Sequence, residues 1–272
     1  MLITRNHRMI DSAHLPLLVP LLLPTAYALM WAVEARSPAR SYAPVPGWQR
    51  LGVAFFVLTA MVGSLVPWLL QASGFTALRV LDLRALGLWG VPVGLLVLSL
   101  VHYAWHRAEH RFDLLWRMGH QLHHAAPRVD VPGAYVVHPF EVLVKTTLGV
   151  ALATVVLGLT PAAAALTTAL LAVLSIFQHW NIHTPRWLGW LVPRPEMHAL
   201  HHERDVHARN YGDLPVWDML FGTYANPARF DGEVGFAPPL ATRWGDMLRM
   251  RDVHKAGVDA PAAQGCCGLL QK

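Results

Sequence analysis

Histidine is the residue type that could do chemistry here. Thirteen of the 16 histidines lie between His102 and His207. Ten of them fall into four boxes. His106 and His110 form an HxxxH box, and His120, His123 and His124 form an HxxHH box. His179 and His183 repeat the first pattern, and His198, His201 and His202 repeat the second. Residues three or four apart share one face of a helix, so each box can present two imidazoles to one metal ion. A single zinc takes three or four ligands. Ten imidazoles therefore fit two metal ions better, each partly open to substrate or dioxygen. Imidazole suits iron, zinc, copper and nickel alike, so the donor type does not name the metal. His102, His106 and His110 are spaced by four, so spacing alone allows two overlapping HxxxH pairs.

The elements that position these boxes are apolar. Of the 272 residues, 54% are hydrophobic and 14% charged, and mean hydropathy is +0.35. That excludes a disordered chain. The two cysteines, Cys266 and Cys267, are adjacent and exclude a disulfide scaffold; they read as reduced bystanders. The formal charge of +5 is modest, and the Lys and Arg excess bears on topology rather than on nucleic acid. The expected fold is all-α: a polytopic membrane bundle of about four to five spans with a cytosolic helical cap carrying the boxes.

A span needs about 20 mostly apolar residues. Leu15–Val33, irregular through Pro16, Pro20 and Pro24, Leu51–Leu70, Ala85 to about Val101, Val142–Thr160 and Ala162–His179 qualify. The last two form a tight hairpin at Thr160–Pro161. No segment has the form of a cleavable signal peptide. The hairpin puts Glu141 and His179 on one side, together with the exit of the third span at His102. On that side lie three Lys and Arg in 34–50, five in 102–145 and ten from Arg186 onward; only Arg5, Arg8, Arg79 and Arg84 lie opposite. The positive-inside rule places the histidine side in the cytoplasm. From about Thr184 short helices and loops are expected, with fraying beyond about Gly257. The division is 1–85 N-terminal spans, 86–225 catalytic domain and 226–272 C-terminal cytosolic extension.

Against this background the chain resembles the fatty acid hydroxylase/sterol desaturase superfamily over roughly residues 100–225. The resemblance rests on Tyr103-Ala-Trp-His106-Arg107 with His110, on Leu115-Trp116-Arg117 leading to His120 and His123-His124, and on His138-Pro139-Phe140-Glu141. It continues through His179-Trp-Asn181, His198-xx-His201-His202, Asn210-Tyr211-Gly212, Trp217-Asp218 and Phe221-Gly222-Thr223. The Ala/Leu/Arg/Pro-rich composition looks bacterial, which implies an inner-membrane location.

The resemblance implies a di-iron centre held by His106, His110, His120, His123, His124, His179, His183, His198, His201 and His202, with dioxygen hydroxylating or desaturating a lipid C–H bond. The family's first box, in which Arg follows the first ligand, selects His106 and His110. His102, at the mouth of the span, is then a neighbour that packs or hydrogen-bonds. His138, Glu141, Asn181, Asn210 and Asp218 are candidates to orient ligands or line the site, as are Glu109, Asp113 and Asp205. His7, His14 and His254 read as interfacial or packing residues, and Trp180, Trp187 and Trp190 as interfacial anchors. No haem, flavin or iron–sulfur motif is present, so electrons are expected from a separate ferredoxin-like donor or haem protein with its reductase. The competing reading is a membrane metal transporter or metal-dependent hydrolase. Transport predicts polar residues deep in several spans, whereas here Lys145 is the one charge from Val142 to Ile176, and no HExxH exists.

Overall fold

The computed structural model describes residues 15–255; the expectations for His7, His14, Cys266 and Cys267 fall outside them. The protein is a polytopic helical membrane protein, with five helices long and apolar enough to span. In chain order these are α1 (Leu15–Arg36), α2 (Trp48–Ala72), α3 (Gly90–Arg111), α5 (Pro139–Val156) and α6 (Pro161–His179). A shorter helix, α4, covers 113–124, and α7 (Pro195–His201) and α8 (Pro215–Leu220) follow the spans.

α1 is continuous although Pro20 and Pro24 lie inside it. Each removes one backbone donor, but in an apolar surrounding the remaining helical bonds are the cheapest partners available. α6 is the central element, packed between α1 and α3. Small residues on α3 permit close approach. A Cβ on Gly94 would sit 2.7 Å from Thr167 Oγ1, and one on Gly90 would sit 2.9 Å from Leu159. The last turns of α5 widen to a π-helix over Ala151–Val156. Carbonyls of Val155, Val156 and Leu157 there accept from the amides of Val80, Leu81 and Leu83, so the 78–83 loop closes the far end of the bundle.

The near end is tied by buried polar groups. Glu34 at the end of α1 accepts from the amides of Val131 (3.0 Å) and Asn181 (2.8 Å). The Trp48 indole donates to Asp130. The chain after residue 230 folds back over α4. Phe236, Ala241, Met247 and Val253 pack on Leu122 and Ala125. Gln121 holds this return, donating to Arg251 O (2.8 Å) and accepting from the Val253 amide (2.9 Å).

Candidate metal centre

α3 runs on past its apolar stretch and carries His106 and His110 one turn apart, at the level where α6 ends in His179. α4 brings three more histidines, and its turn Trp116–His120 is π-helical, a distortion frequent at functional sites. α7 supplies His198 and His201, and His202 follows as its C-cap.

These side chains converge in two adjacent groups. His106, His110, His120, His124 and His201 form the first, here site A, and His123, His179, His198 and His202 form site B; in each, one nitrogen per ring lies within 4.8 Å of all the others. The two HxxHH boxes divide in complementary fashion. His120 and His124 go to A and His123 to B, whereas His198 and His202 go to B and His201 to A. Residues i and i+4 differ by about 40° around a helix and i+3 by about 60° the other way, so one box can serve two ions. The sites touch where the His124 and His202 rings stack at 4.2 Å.

The inward nitrogens are the Nε2 atoms. Neighbouring pairs are 3.3 Å apart for His106 and His110, 3.0 Å for His120 and His124, 3.1 Å for His179 and His198 and 3.1 Å for His198 and His202. Ligands about 2.0–2.1 Å from one ion have such separations at right to tetrahedral angles. Several outward Nδ1 atoms face carbonyls, which only accept. His106 donates to Tyr211 O (2.8 Å), His201 to Arg209 O (2.7 Å) and His179 to Ser175 O (2.7 Å). Each bond fixes the tautomer that leaves Nε2 bare. His201 Nε2 is buried with no hydrogen-bond partner. Burial holds His120, His123, His124, His198 and His202 well below the ordinary imidazole range, and His201 at about 3. All six therefore present lone pairs at neutral pH. Nine imidazoles in two convergent sets are a donor set that fits two transition-metal ions.

A carboxylate pair backs site A. His120 Nδ1 lies 3.2 Å from Glu141 and 3.5 Å from Glu109. Lys145 contacts both carboxylates, with 3.0 Å to Glu109. Trp105 donates to Glu109 at 2.6 Å. On the other flank a strained loop aims the two carbonyl acceptors. Asp205, His207, Arg209 and Asn210 all have positive φ, at a cost of order 1–3 kcal/mol each. Asn210 donates to Met197 O and accepts from the Ala225 amide. Asp218 accepts from the amides of Tyr211 and Gly212 and from the Thr223 hydroxyl, at 2.7–2.8 Å. A Cβ on Gly212 would lie 2.8 Å from Asp218.

His183 departs from expectation. α6 stops at His179, because Trp180 turns extended at ψ 114°. The i+4 spacing no longer means one turn, and the half-exposed His183 ring lies 4.0 Å from Glu196 instead. His102 pairs with Asp213 at 2.8 Å, outside both groups. His138 caps α5, accepting from Phe140 N. Asn181 braces Arg40 and Glu34 rather than a histidine. Sequence reasoning gave no role to His207. Its ring is 4.7 Å from His124, between Trp116 and Phe236, and burial lowers it to about 4. Nothing in its spacing marks it. Tyr211 enters the sequence pattern only as part of a motif, yet its ring lies 5.3–5.5 Å from those of His106, His110 and His201.

Residues 91–223 match the fatty acid hydroxylase family. The ornithine lipid hydroxylase of Rhizobium tropici is 31% identical over 143 residues, covering 51% of this chain and 43% of that protein. The sphingolipid C4-hydroxylase of Schizosaccharomyces pombe is 31% identical over 46% of this chain and 44% of its own length. A very-long-chain aldehyde decarbonylase of Oryza sativa is 29% identical over 48% of this chain and 53% of its own. The matches thus span about half of each relative. No solved structure matches.

Proposed function

We propose that this chain, a member of the fatty acid hydroxylase/sterol desaturase superfamily, is a di-iron oxygenase that hydroxylates a lipid C–H bond with dioxygen. The observation that carries the reading is the pair of convergent, largely buried imidazole groups at the membrane end of α3 and α6. His106, His110, His120, His124 and His201 would hold one iron, and His123, His179, His198 and His202 the other. When bound, the pair would supply reductive activation of dioxygen, yielding an oxidant able to break an unactivated C–H bond. The balance for hydroxylation is RH + O2 + 2 electrons + 2 protons giving ROH + H2O. The electrons come from a separate donor, ferredoxin-like or a haem protein with its reductase.

The chain's own part is to hold and exclude. The carbonyls of Tyr211, Arg209 and Ser175 keep Nε2 of His106, His201 and His179 unprotonated and aimed inward. Glu141 accepts from the Nδ1–H of His120, and Lys145 balances the two carboxylates. Trp116, Phe236 and the returning C-terminal segment roof site A and keep bulk water out. The eighteen Lys and Arg on the histidine side support a cytoplasmic site, and composition supports a bacterial inner membrane. The named activities of the relatives favour an amphiphilic lipid substrate.

The test is lipid profiling of cells with and without the gene, joined to metal analysis of the purified protein. A hydroxylated lipid that depends on the gene, with about two irons per chain, is the expected result. Protein reconstituted with iron and a donor that consumes no dioxygen on any lipid of the host would overturn the reading.

A further inference from the structure

The segment after the fourth histidine box folds back along α3. α3 and α6 run side by side in the same direction, with Gly90 against Ala163 and Gly94 against Thr167. Continuing that register sets Ser99–Tyr103 beside 172–176 and His106 beside His179. α6 has 19 residues, roughly 28 Å of helix, about the thickness of the hydrocarbon core. Its end at His179 therefore marks the boundary of that core on the histidine side. Ser99 lies seven residues below His106, roughly 10 Å deeper.

α8 packs at that deeper level. The Trp217 indole donates to Ser99 Oγ (2.9 Å), Phe221 stacks on Tyr103 (5.2 Å between ring centroids), and the Tyr103 hydroxyl meets Thr223 Oγ1 at 3.1 Å. The outward face of α8 is apolar: Val216, Leu220 and Phe221 are 44%, 67% and 47% exposed. The neighbouring turn Arg186–Trp190 continues it, joined by Tyr224, which donates to Gly189 O and lies 5.4 Å from the Trp190 ring. Trp187, Trp190 and Leu191 are 62–63% exposed there. The one charge on α8, Asp218, is buried and fully engaged by inward donors. Backbone outside regular helices is tolerated at membrane depth where it is buried in protein, and here Gly212 and Asp218 are buried, with Asp218 meeting the donors of Tyr211, Gly212 and Thr223. Arg107 and Arg186, both exposed, lie at the rim, where side chains of this type reach lipid phosphates.

We propose that 186–191 and 215–221 form a lip inserted into the histidine-side leaflet, with lipid acyl chains as the occupant of its apolar face. The lip packs directly on Ser99 and Tyr103 of the membrane-spanning α3, which is the argument for acyl chains rather than a protein partner. It also joins two surfaces in one short segment, since Tyr211, which orients His106, is seven residues from Asp218 on the lip. The inference needs only the spans and the packing of α8, so it stands or falls apart from the metal reading.

The test places an environment-sensitive fluorophore on Leu220→Cys, on Leu191→Cys and on the exposed Glu233→Cys, in full-length protein with Cys266→Ser and Cys267→Ser. The labelled proteins are reconstituted into phosphatidylcholine/phosphatidylglycerol vesicles. Lipids carrying a nitroxide on the acyl chain should quench the reporters at Leu220 and Leu191 several-fold more than the one at Glu233, and aqueous iodide should show the reverse order. Iodide quenching at Leu220 equal to that at Glu233 would overturn the proposal and leave the lip in water. Shielding from both quenchers would also overturn it, in favour of a protein partner or a second copy. Metal content of each labelled protein, matched to the parent, separates these outcomes from failure of the histidine centre.

Discussion

Sites A and B use the same donor but are held by different means. Site B is local: His179 is fixed by Ser175 O, one turn back on its own helix, and Nδ1 of His123, His198 and His202 has no partner. Site A is held from a distance. His106 and His201 are aimed by carbonyls of the 205–211 loop, and His120 by Glu141 of α5 with Lys145 behind it. The difference teaches where rigidity has been placed. A has five imidazoles and three external supports; B has four imidazoles and one internal support. Ligand bonds to orienting groups raise ligand basicity and fix ring orientation, so the chain invests in the geometry of A.

The largest effect expected is from deleting a ligand in A. His110→Ala should remove one of the two metals and abolish product, whereas His102→Ala should retain most of the iron. His102 lies on the same helix face but is occupied by Asp213. Metal analysis and turnover of folded, membrane-inserted protein check the pair, and the reverse ranking would move the centre one turn deeper. His198→Ala should likewise empty B and leave the metal of A in place. Loss of both metals from either substitution would erase the distinction between the sites.

Next in size are the supports of A. Asp218→Asn weakens the clamp that aims Tyr211 O and Arg209 O, and a loss of about 10–100-fold in metal affinity is the usual scale for such partners. The loss should fall on A, read by chelator competition, with B unchanged. Lys145→Met leaves Glu109 and Glu141 facing each other without a cation. A smaller loss, about 10-fold, is expected, again confined to A, with partial rescue by Lys145→Arg. Equal weakening of B would show that the two sites share one scaffold.

How far this division was legible in the sequence follows from which spacings carry information. The spans were legible because about twenty apolar residues have few other uses. The boxes were legible because i, i+3 and i, i+4 are facing positions on any helix. The split of each HxxHH box between two ions was not, since it depends on where α4 and α7 lie relative to one another. The motif around Asn210, Tyr211, Gly212 and Asp218 was visible as residues, but its work is done by two backbone carbonyls, which no side-chain pattern reports. His207 comes five residues after His202, a distance that means nothing once α7 has ended. Lys145 stood out as a lone charge in an apolar hairpin; its partner Glu109, 36 positions earlier, is set by the packing of α5 beside α3.

The smallest effect expected is also the sharpest test of the asymmetry. His183 spells the second HxxxH box, and with it B would have five imidazoles, as A does. The structure gives a local reason against it. Asn181 and Thr184-Pro185 are residues that stop helices, α6 ends at His179, and the His183 side chain is 53% exposed. An exposed side chain without a tight partner contributes within about 0.5 kcal/mol, or about twofold in an equilibrium constant. His183→Ala should therefore keep both metals and change turnover by no more than about twofold, while His179→Ala, four residues earlier, should empty B. Metal content separates the two variants before any activity is measured. If His183→Ala loses a metal, then 180–183 closes onto site B when the ion is bound, and B has five imidazoles as A does. If it does not, the five-to-four inequality is built into the point at which α6 stops, and B keeps an open side where A has a fifth ring.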